Sequence, residues 1–183
     1  MKRYLYVYGE HELVKKAARF AEKAHEGQKR KYTGEDYIWH PYEVYRLVKS
    51  VSNNIPALCA AWLHDTIEDC NVTYEDIRKE FGHWVAELVL DLTDVSKPSD
   101  GNRAVRKEID RKHTAQAHVE AKTVKLADLI SNTQSICQHD KEFAKVYIKE
   151  KEALMEVLTE GDARLYKKAL HILTKCKKEL EVS

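Results

Sequence analysis

The 183-residue sequence has few residues that interrupt helices, with only six glycines and three prolines. Helix interiors tolerate these two residues least, so their scarcity favours long helices. Long hydrophobic runs are also missing. The longest mostly apolar stretch, Ile55 to Leu63, falls well short of the roughly 18 residues that a membrane span needs. The apolar run from Tyr4 to Tyr8 is too short for the core of a signal peptide. We therefore expect neither a membrane span nor a leader.

Neither sign of charge dominates, because 31 Lys and Arg residues balance 30 Asp and Glu residues. This balance excludes a global field that would attract nucleic acid or anionic lipid, so any anion site must be a local cluster. The four cysteines form no C-x-x-C pair. Isolated cysteines of this kind predict reduced thiols and a cytoplasmic protein. No nucleic-acid or membrane partner is expected, and the oligomeric state stays open.

Apolar residues recur at helical spacing along most of the chain, and the glycines and prolines fall between the resulting segments. The predicted helices cover residues 13–24, 41–50, 57–68, 74–81, 85–92, 103–117, 120–134, 140–159 and 162–180. Turn-forming residues predict loops at 28–39 and 94–102. Only Tyr4 to Tyr8 alternates like a strand. Because no linker or repeat divides the chain, the sequence predicts one all-α domain over residues 1–183.

The segment AAWLHDTIEDC places a histidine and three carboxylates directly after an apolar helix. His64 and Asp65 follow the run Ala57 to Leu63, which should lie in the core. Burying an imidazole beside a carboxylate is costly unless a partner such as a divalent metal ion compensates them. Glu68 and Asp69 come four residues after His64 and Asp65, so a continuous helix would place all four side chains on one face.

The doublet His64-Asp65 resembles the one that names the HD superfamily of metal phosphohydrolases. Four segments also resemble, in order, successive blocks of the hydrolase domain of RelA/SpoT-type enzymes. These segments are GQKRKYTGEDYIWHP, AAWLHDTIEDCNVTYEDI, FGHWVAELVLDLTDVSKP and AKTVKLADLISN. Small alarmone hydrolases, which consist of that domain alone, are similar in length. The resemblance implies a single HD-domain helical bundle.

The resemblance further implies one divalent metal ion and a set of residues that act around it. The implied metal ligands are His40, His64, Asp65 and Asp128. Two imidazoles and two carboxylates suit Mn²⁺, which we expect, and also Fe²⁺ or Zn²⁺. Glu68 and Asp69 match the pair that is proposed in the family to orient the attacking water and to pass a proton to the leaving group.

For substrate recognition, the resemblance places Asn132 and Ser135 near a nucleotide sugar and base. Basic residues of two segments are candidates for a phosphate pocket: Arg30, Lys31, Arg103 and Arg106. The first hypothesis is a pyrophosphohydrolase that removes the 3′-pyrophosphate of guanosine tetraphosphate-like alarmones. One alternative is a phosphatase or triphosphohydrolase acting on another nucleotide, such as a dNTP or NADPH. A third, from a different class, is a non-catalytic nucleotide sensor.

Overall fold

A computed structural model describes residues 10–181, and these residues confirm the all-α class. The helices are α1 (Glu12–Ala24), α2 (Trp39–Lys49), α3 (Ile55–Leu63), α4 (Thr66–Asp69), α5 (Tyr74–Phe81), α6 (His83–Leu92), α7 (Arg103–Gln116), α8 (Val119–His139), α9 (Lys141–Met155) and α10 (Ala163–Glu181). The pairing of Lys29 with Asp36 in the first loop is an isolated bridge. The strand-like alternation at Tyr4 to Tyr8 lies outside the described residues.

The chain forms two compact units that divide between Thr93 and Asp94. The first unit holds α1 to α6, and the second holds α7 to α10. The prediction of one domain over residues 1–183 therefore stays a prediction, and each unit is described by itself.

Helix α3 is the centre of the first unit. Its residues from Ala57 to Leu63 are all buried, and α1, α2 and α6 pack against it. Burial on every side explains why this helix is apolar all round rather than amphipathic. Asn54 caps its start by accepting a 2.9 Å hydrogen bond from the Ala57 amide, and Pro56 fits the first turn, where no amide hydrogen is needed.

Helix boundaries in the first unit follow the sequence signals, with one exception. Thr73 and Asp76 form a capping box that begins α5, with the Asp76 side chain 2.9 Å from the Thr73 amide. The predicted continuous helix over residues 57–68 is wrong. Helix α3 ends at Leu63, His64 and Asp65 form a turn, and α4 begins at Thr66.

Helix α8 is the centre of the second unit, and both α9 and α10 pack against it. Most of its residues from Ala121 to Thr133 are buried. Gly161 allows a close approach to this helix, because a Cβ atom there would lie 2.7 Å from Cδ1 of Leu126. Helix α7 packs against α9.

The packing of α8 against α10 corrects the expectation that all cysteines are reduced. Cys137 of α8 and Cys176 of α10 form a disulfide, with 6.0 Å between their Cα atoms. Cys59 and Cys70 are free thiols, and burial raises the pKa of Cys59 to about 12. Among the described helices, none combines the length and the apolar character that crossing a membrane requires.

Candidate metal centre

His40 lies in the first turn of α2, directly before Pro41. Its amide donates a 2.8 Å hydrogen bond to the Tyr37 carbonyl, which connects the helix start to the preceding loop. The His40 side chain is buried. A proline is favourable in a first helical turn because its fixed φ angle suits a helix and its missing N–H has no partner there anyway. The start of α2 thus fixes an imidazole inside the unit.

His64 follows the last residue of α3 and is also buried. Its Nδ1 lies 3.0 Å from the carbonyl oxygen of Ala61. A carbonyl oxygen can only accept a hydrogen bond, so Nδ1 must carry the hydrogen. The Nε2 atom of the neutral ring is then the one with the free electron pair, as a metal-binding imidazole requires.

Asp65 completes a triangle of possible ligand atoms with the two histidines. Its Oδ2 lies 3.1 Å from His64 Nε2 and 3.5 Å from His40 Nε2, and the two nitrogen atoms are 3.2 Å apart. Ligands that bind one ion at right angles, each at about 2.1 Å, lie about 3.0 Å from one another. The three residues therefore fit one metal ion with little rearrangement.

Tyr37 contacts this triangle, and the sequence interpretation missed it. Its hydroxyl donates a 2.7 Å hydrogen bond to Oδ2 of Asp65, and its ring meets His40 edge-on with 5.8 Å between centroids. On its other side the ring packs against His25, with centroids 4.7 Å apart. The position of Tyr37, three residues before His40, is the one sequence signal that could have identified it. His25 is itself buried, and this burial lowers its pKa.

Glu68 and Asp69 lie on α4, the short helix that follows the turn. The Asp69 amide donates a 2.8 Å hydrogen bond to the Asp65 carbonyl, so Asp69 stays one turn from Asp65 despite the break in the helix. Partial desolvation raises the pKa of Asp69, and the Asp65 carboxylate raises it further, whereas a hydrogen bond from Tyr37 lowers it. A raised pKa suits a carboxyl group that exchanges protons.

The predicted fourth ligand, Asp128, belongs to α8 in the second unit and is buried there. Its Oδ1 accepts a 2.6 Å hydrogen bond from the side-chain amide of Asn132. Asn132, predicted to face a nucleotide, thus holds the predicted ligand in place. The backbone carbonyl of Ser135, one turn further along, lies 2.9 Å from Nδ1 of His139. The roles of all three residues remain predictions.

Most of the predicted phosphate-binding cations have partners within their own units. Arg30 pairs with Glu43 at 2.9 Å, and Lys31 lies above the ring of Tyr32. Arg103 binds both carboxylate oxygens of Glu150, at 2.6 and 2.8 Å. The Nε atom of Arg106 is buried and has no hydrogen-bond partner among the described residues. Their proposed binding of phosphate stays a prediction.

A sequence profile of the HD domain matches residues 17–155, a range that includes the three clustered residues and Asp128. The chain belongs to the HD domain family.

Two relatives show which members of that family the chain is similar to. The chain is 35% identical over 127 residues to the guanosine-3′,5′-bis(diphosphate) 3′-pyrophosphohydrolase MESH1 of Xenopus tropicalis, covering 68% of this chain and 69% of that protein. It is 39% identical over 132 residues to the probable chloroplastic GTP diphosphokinase RSH3 of Arabidopsis thaliana, covering 69% of this chain. The match spans only 18% of that plant protein.

A solved structure of a metazoan ortholog of SpoT, described as hydrolysing ppGpp and acting in starvation responses, is similar in fold. The two chains share 25% identity with a TM-score of 0.81, and the match covers 90% of this chain and 96% of the other.

Proposed function

We propose that this protein is a metal-dependent pyrophosphohydrolase that removes the 3′-pyrophosphate group from guanosine tetraphosphate (ppGpp) or a closely related nucleotide. The observation that carries the proposal is the triangle formed by the buried His40 Nε2 and His64 Nε2 with Oδ2 of the half-buried Asp65. The names of the relatives support the substrate, since MESH1 is a 3′-pyrophosphohydrolase and the SpoT ortholog hydrolyses ppGpp.

We propose Asp128 as the fourth ligand and Mn²⁺ as the ion, because two imidazoles and two carboxylates form the mixed nitrogen and oxygen set that such an ion accepts. The chemistry that a divalent ion supplies in such a site is polarisation of a phosphate oxygen and a lowered pKa for coordinated water.

The chain itself supplies orientation and proton exchange. Tyr37 fixes the position of Asp65 Oδ2, and the carbonyl of Ala61 fixes the tautomer of His64. We assign Asp69 to hold and release a proton, since its raised pKa lies nearer to neutrality than that of an ordinary aspartate. Glu68, its neighbour on α4, is assigned to orient the attacking water. Asn132 and Ser135, with the cations Arg30, Lys31, Arg103 and Arg106, are proposed to bind the nucleotide.

The proposal extends to the organisation of the chain. The HD profile crosses the division between Thr93 and Asp94, which supports treating both units as one functional domain.

A cytoplasmic location is also proposed, since that is where a nucleotide of this kind would be available. The pairing of Cys137 with Cys176 speaks against it, because disulfides are rare in the cytosol. A thiol count on protein purified without oxidant or reductant tests whether the disulfide forms: two free thiols are expected with it and four without it.

A nucleotide panel with product analysis tests the proposed function. Metal-depleted protein is supplied with Mn²⁺, Fe²⁺ or Zn²⁺ and incubated separately with ppGpp, dNTPs and NADPH. We expect ppGpp to yield GDP and pyrophosphate, most rapidly with Mn²⁺. Hydrolysis of a dNTP or NADPH in place of ppGpp would assign the alternative substrate class. Binding of ppGpp without turnover under every metal would mean that the protein is a nucleotide sensor.

A further inference from the structure

Helix α4 carries the two acidic residues assigned to the reaction, yet it is only four residues long. A helix of this length is unstable by itself, because its first turn fixes several residues in return for a single hydrogen bond. Its carbonyl groups also lack partners within the helix, since no further turn follows them. Contacts from other parts of the chain are therefore needed to hold Glu68 and Asp69 in place.

Two such contacts lie at the two ends of α4. At the start, the hydroxyl of Tyr37 donates to the carboxylate of Asp65. At the end, the side-chain amide of Gln28 donates a 3.1 Å hydrogen bond to the backbone carbonyl of Asp69, and the same nitrogen lies 3.7 Å from Sγ of Cys70. Gln28, in the loop after α1, thus supplies a partner that the short helix cannot provide for its last carbonyl group.

The orientation of the Gln28 side chain is fixed by His25. The carbonyl of Asp69 can only accept a hydrogen bond, so Nε2 of Gln28 must face it and Oε1 must point the other way. This Oε1 lies 2.8 Å from Nδ1 of His25, which therefore carries the hydrogen. His25 is buried and packs against the ring of Tyr37, so the amide is held by a rigid neighbour.

The contacts at the two ends of α4 come from one connected group. The Tyr37 amide donates a 3.0 Å hydrogen bond to the carbonyl of Gln28, and the Gln28 amide donates a 3.1 Å bond to the carbonyl of His25. The side chains of Glu68 and Asp69 are exposed, so core packing does not fix them. Their position therefore depends on how this group holds the backbone of α4.

We propose that Gln28 is a positioning residue, which sets the place of the Asp69 carboxyl group relative to Asp65 by holding the Asp69 carbonyl. The inference rests on the proposed function, because the proton exchange assigned to Asp69 belongs to that reaction. Without this hydrogen bond, the end of α4 should open more often, and Asp69 should occupy its productive position for less of the time. Tyr37 still holds Asp65, so metal binding should be preserved.

Amide hydrogen exchange, followed by NMR on metal-free protein, tests the hold on α4 without any hydrolysis. Gln28→Met keeps the length of the side chain and removes both of its hydrogen bonds. The amides of Asp69 and Cys70, whose hydrogen bonds run along α4, should exchange roughly fivefold faster or more, as the loss of one hydrogen bond implies. The Gly82 amide, which bonds the carbonyl of Arg78 at the end of α5, should exchange at an unchanged rate.

Steady-state kinetics on ppGpp tests whether this hold serves the reaction. Gln28→Met should lower kcat by roughly five- to tenfold, while the KM and the retained Mn²⁺ change by less than about twofold. Gln116→Met makes the same replacement at an exposed glutamine of α7 and should match the unmodified protein. In an Asp69→Asn background, Gln28→Met should lower kcat little further, because its effect runs through Asp69.

A second variant separates the two hydrogen bonds of Gln28 and covers the case in which Gln28→Met does not fold. Gln28→Glu keeps an acceptor for Nδ1 of His25 but has no donor for the Asp69 carbonyl. It should therefore reproduce both the faster exchange in α4 and the loss of kcat.

Equal exchange of the Asp69 and Cys70 amides in Gln28→Met and Gln116→Met, or an equal kcat in these two variants, would overturn the inference. A loss of kcat in the Asp69→Asn background as large as in the unmodified protein would also overturn it, because Gln28 would then act elsewhere. Absence of ppGpp hydrolysis by the unmodified protein would reject the proposed function, whereas the exchange rates would still decide whether Gln28 holds α4.

Discussion

The hydroxyl of Tyr37 donates a 2.7 Å hydrogen bond to Oδ2 of Asp65, the same oxygen that lies 3.1 Å from His64 Nε2. A residue of the loop before α2 thus fixes the orientation of a carboxylate in the turn between α3 and α4. Partners of this kind typically change metal affinity by about 10–100-fold, because they keep a ligand in its binding geometry.

Tyr37→Phe removes this hydrogen bond and keeps the aromatic ring between His25 and His40. We expect the dissociation constant for Mn²⁺ to rise about tenfold, with little change in melting temperature. Metal titration of the two proteins measures the effect. Tyr32→Phe, in the same loop, is the matched control and should bind Mn²⁺ like the unmodified protein. Equal affinity in both variants would show that Asp65 needs no such support.

Glu68→Gln and Asp69→Asn keep the shape of the side chains and remove their charge. Because we assign both to water orientation and proton exchange, each should lower kcat on ppGpp by about a hundredfold while the bound metal is retained. Steady-state kinetics together with elemental analysis separates the two effects. Unchanged kcat in both variants would leave α4 with a purely structural role.

Lys151→Met should change stability in a way that depends on pH. Burial lowers the pKa of this lysine to about 8, and below that pH the ammonium is charged in both the folded and the unfolded protein, so its burial lowers stability there. As the pH rises from 8 towards the ordinary value of 10.5, the folded protein releases the proton first and this penalty disappears.

The methionine variant should therefore melt higher at pH 7, by roughly 2–4 °C for about 1 kcal/mol of relief, allowing for solvent screening of a half-buried group. The difference should become smaller by about pH 10. Thermal melts at both pH values measure it, with Lys149→Met as the exposed control. A variant that melts lower than the unmodified protein at pH 7 would contradict this interpretation.

The all-α class could be predicted because local signals determine helices. The capping box at Thr73 and Asp76, Pro56 in a first turn and the apolar run of α3 all act over a few residues. The break at His64 and Asp65 could not be predicted, since both residues are compatible with a continuing helix. The turn holds Asp65 within 2.7 Å of the Tyr37 hydroxyl, a tertiary contact that local signals do not encode.

The pairing of Cys137 with Cys176 and the pairing of two lysines with Asp94 could not be predicted for the same reason. The cysteines are separated by 39 positions and meet only because α8 and α10 pack together. Lys107 and Lys125 each look like ordinary surface lysines in the sequence, and packing alone brings them to the same carboxylate, Asp94. The sequence could identify His40, His64 and Asp65 as candidates because a known family pattern links residues that are distant along the chain.

Metal content measured on purified protein and on single variants tests most directly whether His40, His64 and Asp65 form a metal centre. After chelation and reloading with Mn²⁺, the unmodified protein and His83→Ala, which removes an exposed histidine of α6, should each retain about one ion per chain. His64→Ala and Asp65→Ala should retain none and should hydrolyse no ppGpp, since each loses one of the three clustered ligand atoms. A full equivalent of tightly bound Mn²⁺ in both of these variants would contradict the assignment of the site.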